Sequence, residues 1–535
     1  MSVAPTAEEE CSSVHLILGA VNVPYPSWLN PADNTWQITA ATFVGLMSLP
    51  ALAVLYASLV QKKWAVNVLA MMFAGFSLVL VAWVLWTYQI GFGANSLGHG
   101  VINGHINALV SKQGWWDRFW DNFEGRPGQA LNSYNEQGQA VSNANSLIPF
   151  HFPTDSLLYF QFVFGAITPL LFMGSVLGRI KFSAWCLLVP LWSTFVYGVD
   201  AFLLWGGGYF AQEGAVDYSG GFVIHMSAGV SGFVAAWVLG PRLARDRQHA
   251  LPNNLVMAAV GAGILWLGWN GFNGGDPYYA GSDMAAAVVN TNIATAVGVL
   301  TWMGLDAWLS KARKPTFLGG VNGMICGLVG ITPCAGWVNG WGAIAVGLID
   351  TCIVWIAWNY LSKVRPFSKV DDALGVIYTH GIAGLFGGLM VGIFADPNMI
   401  EYGCGNLDKY GQVVNTGYLA YRTSSKSCTV DSISGLMYTG SAHQLWEQFR
   451  AAIFVIIWSA LITFILMQII KLVLRGARYK DEILMQGDVA IHDEEAFPEE
   501  GIAVRSAEIG IGLGVGMDVG SIAPPLKIDT PPTAT

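Results

Sequence analysis

Two histidines stand in one repeated frame. The first reads Asp217-x2-Gly220-x4-His225-x3-Gly229-x2-Gly232, and the second Asp372-x2-Gly375-x4-His380-x3-Gly384-x2-Gly387. Each frame lies in a long apolar stretch, where an imidazole is costly and usually marks a polar pathway. A neutral imidazole offers one donor and one acceptor nitrogen. Two rings that face each other can hand a small polar molecule along, or share a proton with coupled titrations. They cannot cheaply hold a bare ion in a dry pore. Of nine histidines, only His225 and His380 fall well inside apolar segments. A shared frame argues against two unrelated buried histidines.

Asp217 and Asp372 each precede their histidine by eight residues, about 12 Å along a helix axis. A carboxylate there can cap free N–H groups at a helix start or attract a cation, and capping is the favoured reading. A second constellation is aromatic: Phe164 in FQFVFGAITP, Phe272 in GWNGFNGG, and Trp205. Aromatic faces attract small cations through their quadrupole, and phenyl rings can close a dry constriction. For Trp205 taken alone, anchoring at a membrane boundary is the ordinary reading.

The elements that position these residues follow from composition. The chain has 535 residues, of which 53% are hydrophobic and only 11% charged, less than half the charge of an ordinary soluble domain. It is read as membrane-resident. The net charge of −9 sits largely in loops and the tail, so nucleic acid is not expected as a partner. No metal spacing, nucleophile–base pair or cofactor motif is present, so neither an enzyme nor a cofactor is expected. Cys186, Cys326 and Cys352 are read as packing residues; Cys404 and Cys428 share a long loop and would pair only in an oxidising compartment. Residues 1–35 lack a signal-peptide pattern.

A bilayer core takes about 20 apolar residues per helix. Spans are expected near 36–60, 64–90, 156–177, 182–203, 218–240, 254–272, 283–309, 316–334, 338–361, 370–395 and 444–472. The loops after odd-numbered spans, with the segment after the eleventh, hold 17 of the 26 Lys and Arg. The positive-inside rule then puts the amino terminus outside and the tail in the cytoplasm. The fifth and tenth spans carry the repeated frame. Because five is odd, the second half enters from the opposite side. The expected fold is an all-α integral membrane protein with eleven transmembrane helices, a five-plus-five inverted repeat plus one, with its site between the halves. Residues 1–35 form an external segment and 36–475 the membrane domain. Residues 476–535 form a cytoplasmic tail, expected to be disordered beyond about 500.

The phrases WQITAATFVGLMSLPALAVLYASLVQKKWAVN, FGAITPLLFMGSVLGRIKFSAW, DYSGGFVIHMSAGVSGFVAAWVLGPR, LWLGWNGFNGG and VDDALGVIYTHGIAGLFGGLMVGIFA carry a resemblance. Over residues 35–480 the chain resembles the Amt/Mep/Rh ammonium transporter family, and it looks closest to the Mep-like type-2 branch known from plants. The resemblance implies the ammonium transporter fold in a homotrimer at the plasma membrane, each protomer with its own pore for ammonium or ammonia and methylammonium as an analogue. By the same resemblance His225 and His380 line the pore, Phe164 and Phe272 form the gate, and Trp205 and Asp217 belong to ammonium recruitment. Asp276, in GFNGGDPYY, stands where many relatives have a serine, and would attract ammonium by charge; the other reading is a turn residue before Pro277. Gly178 stands where many have a glutamate. The resemblance also implies that the start of the tail docks on neighbouring subunits and gates transport.

The expected function is selective ammonium uptake. Ammonium is recruited outside, loses its proton near the gate, and crosses as ammonia past the twin histidines, with net charge carried. Potassium has no proton to lose, and stripping its water is too costly. The alternatives are an electroneutral ammonia channel and an ammonium sensor. Asp350, in the middle of the ninth span, belongs to no recognised motif.

Overall fold

The computed structural model describes residues 29–92, 133–134, 140–141, 151–206, 208–248, 251–399 and 433–497. Cys11, Cys404, Cys428 and the tail beyond 497 lie outside these residues. Among them, ten helices are long and apolar enough to cross a bilayer, and Phe317–Ile331 is a shorter apolar one. The first three are Pro31–Leu59, Lys62–Thr87 and Asp155–Val176. The fourth runs from Phe182–Trp192 through a π-helical turn, Ser193–Tyr197, to Gly198–Leu204. Then come Gly221–Leu239, Leu255–Gly274, Ser282–Leu309, Phe317–Ile331, Gly340–Lys363, Ile377–Phe394 and His443–Val473. These are the eleven expected spans. The described strands are a two-residue antiparallel ladder, Ser133–Tyr134 with Ala140–Val141.

The eighth helix is shorter than the expected 316–334: Thr332 keeps helical dihedrals, but Pro333 has no N–H with which to continue the ladder. The carbonyls just past its end are used: Tyr218 and Ser219 donate N–H groups to Pro333 O and Thr332 O. The lead-in of the fifth span thus sits on the end of the eighth. On the other side of the repeat, Ala373 and Leu374 donate to Ser175 and Gly174, so the lead-in of the tenth span sits on the end of the third. Exchanging the two halves converts one contact into the other, as an inverted five-plus-five repeat requires.

The two motif helices match in detail. Each begins with a π-helical turn that holds its histidine, Gly221–Met226 and Ile377–Ile382, a distortion common at functional sites. Gly220 and Gly375 hold φ of +112° and +70° at equivalent places, a backbone that glycine adopts without strain. The helices cross where a methyl on Gly229 would strike the Gly381 backbone, and one on Gly384 the Gly221 carbonyl. Small residues at such crossings let helix backbones touch.

The loops after odd-numbered spans meet at one end of the bundle. Lys63 Nζ reaches Asp246 at 2.9 Å, Arg242 pairs with Asp371 at 2.7 Å, and Arg179 donates to Gly240 O at 2.7 Å. The first part of the tail docks on this chain's own loops. Tyr479 N–H donates to Arg179 O and Lys63 Nζ to Leu484 O. Asp488 accepts the N–H groups of Val66 and Asn67 at 2.8 and 2.9 Å, capping the second span.

Candidate functional site

Between the halves, aromatic rings and imidazoles form a continuous column. Phe164, from the middle of the third span, stacks on Phe272, near the end of the sixth, with centroids 4.3 Å apart and planes at 17°. Phe272 lies 5.9 Å from His225, whose other stacking partner is Trp269 at 5.3 Å. His225 and His380 follow at 5.5 Å, tilted by 57°. The structure therefore brings together Phe164, Phe272, His225 and His380, which the sequence singled out as gate and pore candidates.

The two histidines differ in their surroundings. His225 is wholly buried, and neither of its ring nitrogens has a hydrogen-bond partner among the described residues. His380 Nδ1 bonds to Thr379 Oγ1 at 2.9 Å. Its ring also lines a cavity of about 210 Å³ with Tyr56, Trp358, Val376 and Thr379. The side of His225 is walled by rings, whereas the side of His380 has room for solvent.

Trp205 is buried beside the phenyl stack. Its ring lies 6.3 Å from Phe164, edge to face, and its indole N–H donates to Asp217 O at 2.6 Å. At 6% exposure it is not a boundary anchor. Phe92 stacks on it with centroids 6.5 Å apart and planes at 24°.

Asp217 is a cap. Oδ1 accepts from Gly220 and Gly221 at 3.1 and 2.6 Å, and Oδ2 from Phe222 and Val223 at 2.8 and 2.9 Å. All four donors are free N–H groups at the start of the π-helical turn. Asp372 is the weaker counterpart: Oδ2 accepts from Ile377 N–H at 2.9 Å, and Oδ1 has no partner among the described residues.

Asp276 lies between the sixth and seventh spans and is 2% exposed. Ser219 Oγ donates to its Oδ2, and Tyr278 hydrogen-bonds to the same carboxyl. Gln161 Nε2 in turn donates to Tyr278 Oη at 2.7 Å. Burial, with the neighbouring Asp217 carboxylate adding to it, pushes the Asp276 carboxyl well above the usual carboxylate range, against the hydrogen bonds from Ser219 and Tyr278. Sequence reasoning did not single out Ser219, Thr379, Gln161 or Tyr278. Ser219 sits inside the first frame and Thr379 directly precedes His380, but neither residue type is rare enough to draw notice.

Asp350 is fully buried in the ninth span, and neither of its oxygens has a partner among the described residues. Among those residues no cluster of three or more His, Cys, Asp or Glu is arranged to hold a metal.

A family profile described as "Ammonium Transporter Family" matches residues 35–497. "Ammonium transporter 2" of Arabidopsis thaliana is 41% identical over 475 residues, 88% of this chain and 89% of that protein. "Ammonium transporter 3 member 2" of Oryza sativa subsp. japonica is 41% identical over 481 residues, 90% and 92% of the two chains. Among solved structures, the crystal structure of Candida albicans Mep2 superposes with a TM-score of 0.66 at 25% identity, over 85% of this chain and 88% of that one.

Proposed function

This chain belongs to the ammonium transporter family, whose named members are transporters and not enzymes, and we propose that it carries ammonium into the cytoplasm past the twin histidines. In this reading ammonium gathers at Trp205 and Asp276 and loses its proton at the gate of Phe164 and Phe272. It then crosses as ammonia, bonded in turn by His225 and His380, and net charge is transferred. Asp217 supports the recruitment site by fixing the backbone around it.

The observation that carries this reading is the column of rings, from the phenyl stack at 4.3 Å to the imidazole pair at 5.5 Å and on to the cavity beside His380. A hydrated cation does not fit between stacked phenyl rings, and a dehydrated one would lose its solvation among apolar walls. Ammonia can shed its water at far lower cost and exchange hydrogen bonds with each imidazole.

The homotrimer, the plasma membrane and an external amino terminus with a cytoplasmic tail belong to the same proposal. So do the division at about residues 35 and 475, the lipid bilayer as surroundings, and the absence of cofactor or metal. The basic loops gathered at one end with the tail support the orientation.

A second reading, electroneutral ammonia conduction, draws on the partnerless nitrogens of His225, which offer no direct proton link between the imidazoles. The test is ammonium-evoked current under voltage clamp, in a host lacking its own ammonium transporters, with potassium as control. A saturable inward current selective for ammonium supports charge transfer. Methylammonium or ammonia entry without current supports the electroneutral reading.

A further inference from the structure

The two carboxylates at the outer end of the column have different capacities. Asp217 spends both oxygens on four backbone N–H groups, at 2.6–3.1 Å, which fill about four lone-pair directions. Protonating it would release a helix start, and it has no direction left for a ligand. Asp276 is held by side chains alone, Ser219 Oγ and Tyr278. Both are hydroxyls that can turn, and about half of the carboxylate's acceptor capacity remains. It is also tied to the gate, because the same Ser219 hydroxyl lies 3.5 Å from Phe272 O and Phe160 packs against Gly275, the residue before it.

We propose that Asp276 is the group that takes the proton from ammonium at the outer face of the gate, with Ser219 and Tyr278 as its positioning residues and Asp217 as scaffold. This rests on the transport reading above and deepens it. In the step, one N–H bond of ammonium breaks and one O–H bond forms on Asp276, so a cation and a carboxylate become ammonia and a carboxylic acid. Ammonia moves on between the phenyl rings. The acid resets by giving its proton to water in the outer mouth, from which it returns outward or follows the ammonia as the charge transported. Gln161, donating to Tyr278, holds the tyrosine toward the carboxyl. A carboxyl whose proton affinity lies above the ordinary aspartate value is the better acceptor, since efficient proton transfer wants matched acidities. The titratable groups that face it among the described residues are Asp217, Tyr278 and Tyr197.

The sign with pH follows. Only ionised Asp276 accepts a proton, so the maximal rate falls as external pH drops through its raised pKa. The experiment measures maximal transport, half-saturation and their external-pH profiles in the full-length protein for D276N, D276S, Y278F and D217N, with surface amount measured for each. The expected result is a maximal rate lowered at least tenfold in D276N and D276S, beyond the rise in half-saturation that loss of recruitment brings, with the acid limb abolished. In Y278F the limb is shifted. D276S, carrying the residue that many relatives have, guards against a misfolded D276N.

Wild-type rates and acid limb in both Asp276 variants would overturn the proposal, as would a change in half-saturation alone, which leaves recruitment only. So would a well-expressed D217N that loses the limb by itself. H225A and H380A serve as the separate control. If they transport normally the twin-histidine reading fails, whatever Asp276 does.

Discussion

The two motif helices share a frame, a π-helical start and a left-handed glycine, yet their surroundings differ at every functional atom. On the first, the aspartate is saturated by four N–H groups and the histidine is pressed between rings without a polar partner. On the second, the aspartate accepts the Ile377 N–H on one oxygen, and the histidine is fixed by Thr379 beside a cavity. The inverted repeat supplies a two-fold scaffold, and the departures from two-fold symmetry give the column of rings one end walled by aromatics and one end beside a cavity. A symmetric column would have no preferred place for the proton to leave.

The sharpest way to break this comparison is at the aspartates. D217A strips an acceptor from four buried donors, and a hydrogen bond to a charged group contributes about 1.5–3 kcal/mol. It should cost more than about 3 kcal/mol and leave little protein in the membrane. D372A removes one such bond against four and should cost roughly a quarter as much on the same arithmetic. Thermal unfolding of the solubilised variants, with yield in the membrane, decides. Equal losses would show that the two caps do the same work.

The histidines come next. H225A and H380A should both abolish ammonium-selective current while the protein accumulates normally, because each ring contributes hydrogen bonding to the permeant and not to helix capping. Unchanged current and unchanged ammonium-over-potassium selectivity in both variants would remove the imidazoles from the pathway. The asymmetry adds a refinement. T379V should weaken transport several-fold by freeing the His380 ring, an effect with no counterpart at His225.

A smaller effect is expected at the docked tail. D488A removes the cap on Val66 and Asn67, worth about 1 kcal/mol. Burial lifts the Asp488 carboxyl to about 6, against the hydrogen bonds from Asn67 and Val66. Its free value is about 4, so its contribution to docking is complete below about pH 4 and is lost as pH rises through about 6. Burial lowers His492, so its contribution runs the other way, present above its ordinary range and lost on acidification. Protease access to the tail, followed against pH, should lose its slope between about 4 and 6 in D488A. A slope that persists would assign the pH response to His492.

Hydropathy and charge made the eleven spans, their alternation and the repeat legible, because burial in lipid acts on whole stretches. They were blind to capping. The tenth helix starts at Ile377 and not near 370, and the fifth at Gly221 and not near 218, since Asp217–Gly220 and Asp372–Gly375 are caps drawn from residues that read as span. The phenyl stack and the histidines were legible through motif and family phrases. The Asp276–Ser219 pair was not, because its members are 57 residues apart in the chain and each has a common residue type. Nor did anything in the polar tail mark Asp488 as the cap of the second span.

The least effect is expected where the sequence was most puzzling. Asp350 sits in the ninth span, with Gly330 of the eighth helix so close that a methyl there would stand 2.7 Å from Oδ2. No described residue hydrogen-bonds to either oxygen. A partnerless buried carboxyl contributes nothing that an isosteric group would lose, and removing a buried polar group without partners is often neutral or stabilising. D350N should therefore leave transport unchanged and shift stability by less than about 1 kcal/mol. G330A, which forces the contact, should cost about 1–3 kcal/mol. The contrast with Asp217 is one of wiring: two fully enclosed aspartates, one holding four donors and one holding none, should differ by several kcal/mol on replacement. Loss of current in D350N at normal expression would instead place Asp350 on the conduction route, and the column of rings would no longer be the whole pathway.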